Sequence, residues 1–150
     1  MDIEEEIKQK KFLNEYIKLD VNLMFTASYL GNIKTEMLRP YQISWQQFNI
    51  LRILKGQYPQ PASIKSLTER MVDRTSNTSR LVDKLFSKGL VDRCVNPSDR
   101  RKADVFITSK GLEILDKCSV EMETGLTAKI SSLTKEEARS VNFLLNKLRD

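Results

Sequence analysis

The stretch Asp73-Arg74-Thr75-Ser76-Asn77-Thr78-Ser79-Arg80-Leu81-Val82-Asp83-Lys84-Leu85-Phe86-Ser87-Lys88-Gly89-Leu90-Val91 decides the fold. Asp73 is a residue type that caps a helix start. Gly89 is the type that ends a helix in the left-handed conformation, with Leu90 packing back. The sequence therefore predicts a helix from Asp73 to Lys88. At about 100° per residue, Thr78, Leu81, Val82 and Leu85 share the face that packs inward. The opposite side carries Ser76, Asn77, Arg80 and Lys84, with Arg74 and Thr75 at the N-terminal end. These short polar groups and cations suit phosphates and base edges. Arg can bond guanine at two atoms and Asn can do the same with adenine, so Arg80 and Asn77 are the candidate base readers. Lys84 is expected to face a phosphate or solvent, and Thr75 and Ser76 either touch DNA or cap the helix. An open first turn also offers backbone N–H groups to a phosphate.

Downstream, the period changes from helical to alternating. Leu90–Val95 and Ala103–Ile107 read as two strands flanking the turn-rich Asn96-Pro97-Ser98-Asp99-Arg100-Arg101-Lys102, a hairpin with a basic tip. A pair between Asp99 and Arg101 would stiffen that tip. Arg100 or Arg101 would then point into a narrow minor groove, where negative potential is concentrated, with Lys102 beside them. Thr108 is expected to cap a long helix carrying Leu112, Leu115, Met122, Leu126 and Ile130. The capping box Thr134-Lys135-Glu136-Glu137 opens a last helix with Val141, Leu144, Leu145 and Leu148.

Upstream, Ser63 starts a short helix with Ile64, Leu67 and Met71 on one side, preceded by a loop from Gly56 to Pro61. Ser44-Trp45-Gln46-Gln47 is a second capping box, opening a helix with Phe48, Leu51 and Leu54 on one face. Arg39-Pro40 marks a break. Before it, Ile7 to Ile33 reads as a helix with two apolar stripes: Leu13, Ile17, Val21, Met24 and Phe12, Tyr16, Leu19, Leu23. A helix apolar on more than one face is buried against more than its own small domain. It is either a central core helix or one shared with a second subunit. The chain has few elements to surround it, which favours the second.

The expected fold is thus mainly α with a small β-hairpin, a winged helix-turn-helix. Its last helix fits the major groove, while the hairpin reaches an adjacent groove or the backbone.

Charge agrees with this placement. The 150 residues carry 25 Lys+Arg and 20 Asp+Glu, a net charge of +5. Between Ser63 and Gly111 stand eleven basic and six acidic residues, which accounts for all of it. A neutral body with one basic third suits a polyanion-binding module on a neutral scaffold. The chain has no His and only Cys94 and Cys118. That excludes a His-dependent nucleophile or base and any His-ligated or Cys₄ metal site. The five Gly are too scattered for a phosphate-cradling loop. No catalytic residues, metal or cofactor are expected. No apolar run is long enough for a membrane span, and the acidic start is no signal peptide, so a cytoplasmic location is expected. Cys94 in a wing strand and Cys118 in the following helix are expected to pack as small hydrophobes.

The ordered set Asp73–Leu85, Lys88-Gly89-Leu90-Val91, Arg93, Asp99-Arg100-Arg101 and Ile107-Thr108-Ser109-Lys110-Gly111 strongly resembles the MarR family of bacterial transcription regulators. The resemblance covers roughly residues 44 to 115. It implies a homodimer with intertwined N- and C-terminal helices and two winged-helix lobes on a pseudo-palindromic duplex DNA operator, usually as a repressor. It divides the chain into a dimerisation helix (1–38), a winged helix-turn-helix (39–111) and C-terminal dimerisation helices (112–150), all in one structural domain. It also assigns Ser76, Asn77 and Arg80 to the recognition helix, and Asp99 and Arg101 to the wing Asp-x-Arg. A small aromatic or anionic effector in a cleft between dimer helices and lobe is implied as well, with Tyr29, Tyr41, Trp45 and Phe48 as candidate lining. One branch of the family senses oxidants through a Cys near the N-terminus. This chain departs from that pattern, because its first Cys is Cys94. The alternative from another class is a winged-helix module that meets an acidic protein rather than a duplex.

Overall fold

The computed structural model describes residues 2–99 and 102–150. Its elements are α1 (Ile3–Glu6), α2 (Glu15–Leu38), α3 (Trp45–Gly56), β1 (Ala62–Ser63), α4 (Ile64–Arg70), α5 (Thr78–Ser87), β2 (Val91–Val95), β3 (Ala103–Ile107), α6 (Ser109–Ile130) and α7 (Lys135–Lys147). A single 3₁₀ turn, Arg39–Tyr41, joins α2 to α3. The chain is mostly helical with a three-stranded antiparallel sheet in the order β1-β3-β2. The wing strands pair from Val91↔Ile107 to Val95↔Ala103, and β1 adds Ala62↔Val105 and Ser63↔Asp104 on the other edge.

The caps form where hydroxyl and amide side chains were placed to make them. Ser44 and Gln47 make a reciprocal capping box, as do Thr134 and Glu137. Ser63 and Thr108 cap α4 and α6 through their side-chain oxygens. The first helix differs from the sequence expectation. It starts at Glu15 rather than Ile7, because Asn14 Oδ1 accepts from the Ile17 N–H and fixes the start there. Lys8 sits at φ 54°, so the chain turns between α1 and α2. The helix then runs past Ile33 to Leu38 and stops at the proline. The two-residue strand β1 was not legible as a strand.

The core lies in the winged-helix lobe and reaches down the first half of α6. Phe48, Ile50, Leu51 and Leu54 of α3 meet Leu67, Val82, Leu85, Val105 and Ile107, with Leu115, Cys118 and Met122 below. Such fully buried side chains each contribute roughly 1.5–3 kcal/mol. By contrast, α7 buries no residue, although it carries Val141, Phe143 and Leu144, with Leu148 as its C-cap. On α2, Tyr16 is 83% and Met24 68% exposed. The apolar stripes of both helices are uncovered in the single chain.

The helix α5 ends as expected. Gly89 has φ +71°, its N–H bonds the Phe86 carbonyl at 2.9 Å, and the Leu90 N–H bonds the Leu85 carbonyl at 3.0 Å. This paired arrangement closes the helix and turns the chain into β2. The start of α6 is pressed onto the same spot, and a Cβ on Gly111 would lie 2.1 Å from the Leu90 carbonyl oxygen. Because that atom is backbone, nothing cheap can move. Gly111→Ala is therefore expected to lower the unfolding free energy by about 2–3 kcal/mol in a denaturant titration. A wild-type midpoint would contradict the close approach.

Candidate nucleic-acid interface

The recognition face is built by the turn before α5 and by α5 itself. Asp73 does not cap this helix, as the sequence suggested. Its carboxylate instead accepts from the Thr75 N–H (3.0 Å), the Thr75 hydroxyl (2.6 Å) and the Ser76 hydroxyl (3.0 Å). Those bonds, chiefly from Thr75 and Ser76 and with Gln46 of α3 adding another, hold the Asp73 carboxyl below its ordinary range. Thr75 and Ser76 are thereby committed to ordering the turn.

The cap is Asn77. Its Oδ1 accepts from the Arg80 N–H at 3.1 Å, and the helix begins one residue later at Thr78. This bears directly on the expectation that Asn77 reads adenine, because a bidentate contact needs the same oxygen. The carboxamide can still offer its Nδ2.

The inward face is the one expected. Thr78, Val82 and Leu85 are buried, and Leu81 is half-buried against the core. The Thr78 hydroxyl is bonded to that of Thr68 on α4 at 2.8 Å, which locks the two helices of the motif together. Outward, Arg74, Asn77, Arg80 and Lys84 are exposed. Ser44, Gln46, Ser76, Asn77, Arg80, Leu81 and Lys84 line an open groove between the start of α3 and the face of α5. Ser44 and Gln46 were not singled out in the sequence as part of this surface: the capping box with Gln47 explained Ser44, and nothing local marked Gln46.

Most other cations of this third are occupied. Lys65 pairs with Glu69, Arg70 with Gln57, Arg93 with Asp83, and Lys102 with Asp99 at 3.5 Å. Lys88 bonds the Gln42 carbonyl and Lys110 the Lys88 carbonyl. Among the described residues, no partner holds the side chains of Arg74, Arg80 or Lys84. Two of these cations, Arg80 and Lys84, line the same groove on the recognition helix, and Arg74 is exposed in the turn that precedes it.

At the wing, Asn96 organises the base of the turn. Its Oδ1 accepts from the Ser98 and Asp99 N–H groups, and its Nδ2 donates to Asp104 at 2.9 Å. The expected tip contacts of Arg100 and Arg101, including the Asp99–Arg101 pair, lie outside the described residues.

Residues 43–103, from the start of α3 to the wing, match the MarR family. This segment is a MarR-family domain. An uncharacterised HTH-type regulator of Bacillus subtilis, YwaE, is 28% identical over 137 residues, covering 91% of this chain and 79% of that one. The multiple antibiotic resistance protein MarR of Escherichia coli is also 28% identical, over 90% of this chain and 93% of its own. A crystal structure of a cysteine-to-serine mutant of that protein complexed with operator DNA superposes with a TM-score of 0.77. It is 27% identical and covers 93% of this chain and 99% of that one. The fold is that of the winged-helix MarR-like transcription regulators among the solved structures. The matched relatives are regulators rather than enzymes.

The MarR-family cleft residues named from the sequence do not gather in one place. Phe48 is 1% exposed and belongs to the core. Trp45 packs on it with ring centroids 5.8 Å apart, under the Lys34 ammonium at 4.0 Å. Tyr29 is exposed on α2. Only Tyr41 of the four lines the groove where the lobe meets α6, together with Gln42, Ser87, Lys88, Leu90, Lys110 and Ile114. The cysteines also separate. Cys118 packs in the core as expected, and burial pushes its thiol up to about 11, so it stays protonated at neutral pH. Cys94 is exposed, contrary to the expectation of packing, because it lies on the outer side of β2, opposite Asp104. Among the described residues no helix is long and apolar enough to cross a membrane, and no three His, Cys, Asp or Glu side chains could hold a metal.

The cap geometry makes a testable statement about Asn77. Asn77→Ala should lower stability by about 1 kcal/mol, and Asn77→Ser, which restores a capping oxygen, should recover it. Equal loss in both variants, measured by thermal unfolding, would show that capping is not what the side chain provides.

Proposed function

We propose that the chain works as a homodimeric repressor that grips a pseudo-palindromic duplex operator and is released by a small aromatic or anionic ligand. The observation that carries the DNA part is the selective lack of partners at Arg74, Arg80 and Lys84 beside an ordered helix start. In this reading Arg80 reaches base edges, and Asn77 adds a donor through its Nδ2. Arg74 and Lys84 hold phosphates, with Thr75 and Ser76 ordering the turn that presents them. The wing, with Asp99, Arg100, Arg101 and Lys102, enters the neighbouring minor groove. A relative of similar fold in complex with operator DNA supports the DNA part of this reading.

Dimerisation is supported by the uncovered apolar residues of α2 and α7. Segments 1–38 and 112–150 supply the dimer helices, and 39–111 the DNA-binding lobe. Leu13, Tyr16 and Met24 at one end of the chain and Phe143, Leu144 and Leu148 at the other are all more than half exposed in the single chain. Clusters of that kind mark protein–protein contact. Effector release is assigned to the groove at Tyr41, where the Lys88 and Lys110 ammonium groups, each with N–H donors beyond its one carbonyl bond, and the Ile114 side chain would hold an anion with an apolar body. That groove borders the C-terminal end of the recognition helix, so an occupant there acts on it directly.

Binding to the gene's own upstream region, followed by fluorescence anisotropy over a range of salt, tests the proposal. Arg80→Ala should cost about 1–3 kcal/mol and relax specificity at a particular base pair. Lys84→Ala should weaken all sequences alike and reduce the salt slope by about one. The protein should sediment as a dimer, and Leu144→Glu should give monomers that bind the operator poorly. Wild-type binding by both DNA variants would sink this assignment.

A further inference from the structure

We propose that Arg93 is a positioning residue for the wing, acting through Asp83 and Phe86 of the recognition helix rather than through DNA. Of the five residues of β2 only Val91, at its root, is buried, and the rest project from the body. Arg93 opposes Val105 on β3, so it stands on the side of the wing that faces α5. There its guanidinium is ion-paired with the Asp83 carboxylate, and it lies over the Phe86 ring at 4.9 Å. A guanidinium can lie over a ring and meet a carboxylate at once, and its rigid planar fork suits that double contact better than a lysine's point charge on a flexible stem. Phe86 remains 47% exposed, which fits a ring whose role is to carry the stacked cation rather than to fill the core.

The placement has two consequences. The brace lies farther out along β2 than Val91, between the anchored root and the basic tip. It therefore fixes the angle between the wing and α5, and with it the spacing between minor-groove and major-groove contacts. Asp83 also adjoins Lys84 on a helix proposed to lie against phosphates, where a bare carboxylate would be repelled. Pairing with Arg93 cancels that charge. Two residues that look like one more cation and one misplaced anion thus serve a single mechanical purpose. This inference rests on the proposed reading of α5 and the wing as the DNA contacts.

The sign of one substitution separates a brace from a direct phosphate contact. If Arg93 touched DNA, Asp83→Asn would remove a repulsive charge and tighten binding. Arg93→Gln would then lower the salt slope by about one. A brace predicts the opposite: Asp83→Asn and Arg93→Gln each weaken binding about fivefold, as expected for one partly exposed ion pair with a stacked ring. The salt slope stays unchanged and the double variant is no worse than either single one. Exchanging the pair, Asp83→Arg with Arg93→Asp, should recover part of the affinity. The probe is a duplex selected by the wild-type protein from genomic fragments.

A second readout needs no DNA. A nitroxide attached to the exposed Cys94, with Cys118 buried, should report a more mobile wing in Asp83→Asn and Arg93→Gln than in the wild-type protein. Tighter binding of Asp83→Asn, or label mobility unchanged in both variants, would overturn the brace. If the wild-type protein selected no duplex, the DNA reading would fall, while the label would still decide whether the brace holds the wing.

Discussion

Three consecutive carbonyls at the end of the recognition helix are satisfied by the first turn of α6. The Lys110 ammonium donates to the Lys88 carbonyl at 2.9 Å, the Thr108 hydroxyl to Gly89 at 2.7 Å, and the Thr108 N–H to Leu90 at 3.1 Å. A helix end leaves such acceptors without partners unless something is brought to them, and buried acceptors left unpaired are costly. Here the partner is the start of another helix. The seat is possible only because Gly89 takes a left-handed backbone and Gly111 has no side chain to strike the Leu90 carbonyl. From this joint, α5 runs one way, the wing another and α6 a third. The relative placement of reader, wing and scaffold is decided within a few residues.

The charges follow the same logic. A net +5 concentrated in one third of the chain says that the region meets a polyanion, but not which cations do so. Partnering sorts them. Lys88 reaches the Gln42 carbonyl before α3 and Lys110 the Lys88 carbonyl at the joint, Arg93 pairs with Asp83, and Lys65 and Arg70 are held on α4 and its surroundings. Arg80 and Lys84 remain on the outward face of α5, with Arg74 exposed in the turn before it. Exposed pairs contribute little to stability individually, yet each withdraws a side chain from solvent-facing work and so defines which ones are left.

Much of this was legible because it depends on local chemistry. The capping boxes at Ser44 and Thr134, the caps at Ser63 and Thr108, and Gly89 as a left-handed stop all act over three or four residues. The 3.6 and 2.0 periodicities likewise separated α5 from the wing strands. The errors arose where several residue types compete for the same local role. Asp73 and Asn77 are both good caps, and the choice fell to Asn77 because the Asp73 carboxylate was claimed by Thr75 and Ser76. Asn14 won the start of α2 in the same way, against an apolar pattern that extended further upstream. Contacts across distance were not legible at all. The two-residue β1, the groove shared by Ser44 and Gln46 with α5, the Asp83–Arg93–Phe86 cluster and the outward side of Cys94 each depend on how elements dock.

In the proposed function each chain presents one rigid reader, with α5 in the major groove and the wing beside it, and two such readers act together. Hydroxyl-radical footprinting of the bound operator tests this most directly. Two protected patches related by symmetry are expected, with recognition-helix centres roughly 34 Å, about one helical turn, apart. Protection of the flanking minor groove should accompany each patch. A single patch, or protection without a two-fold pattern, would contradict it.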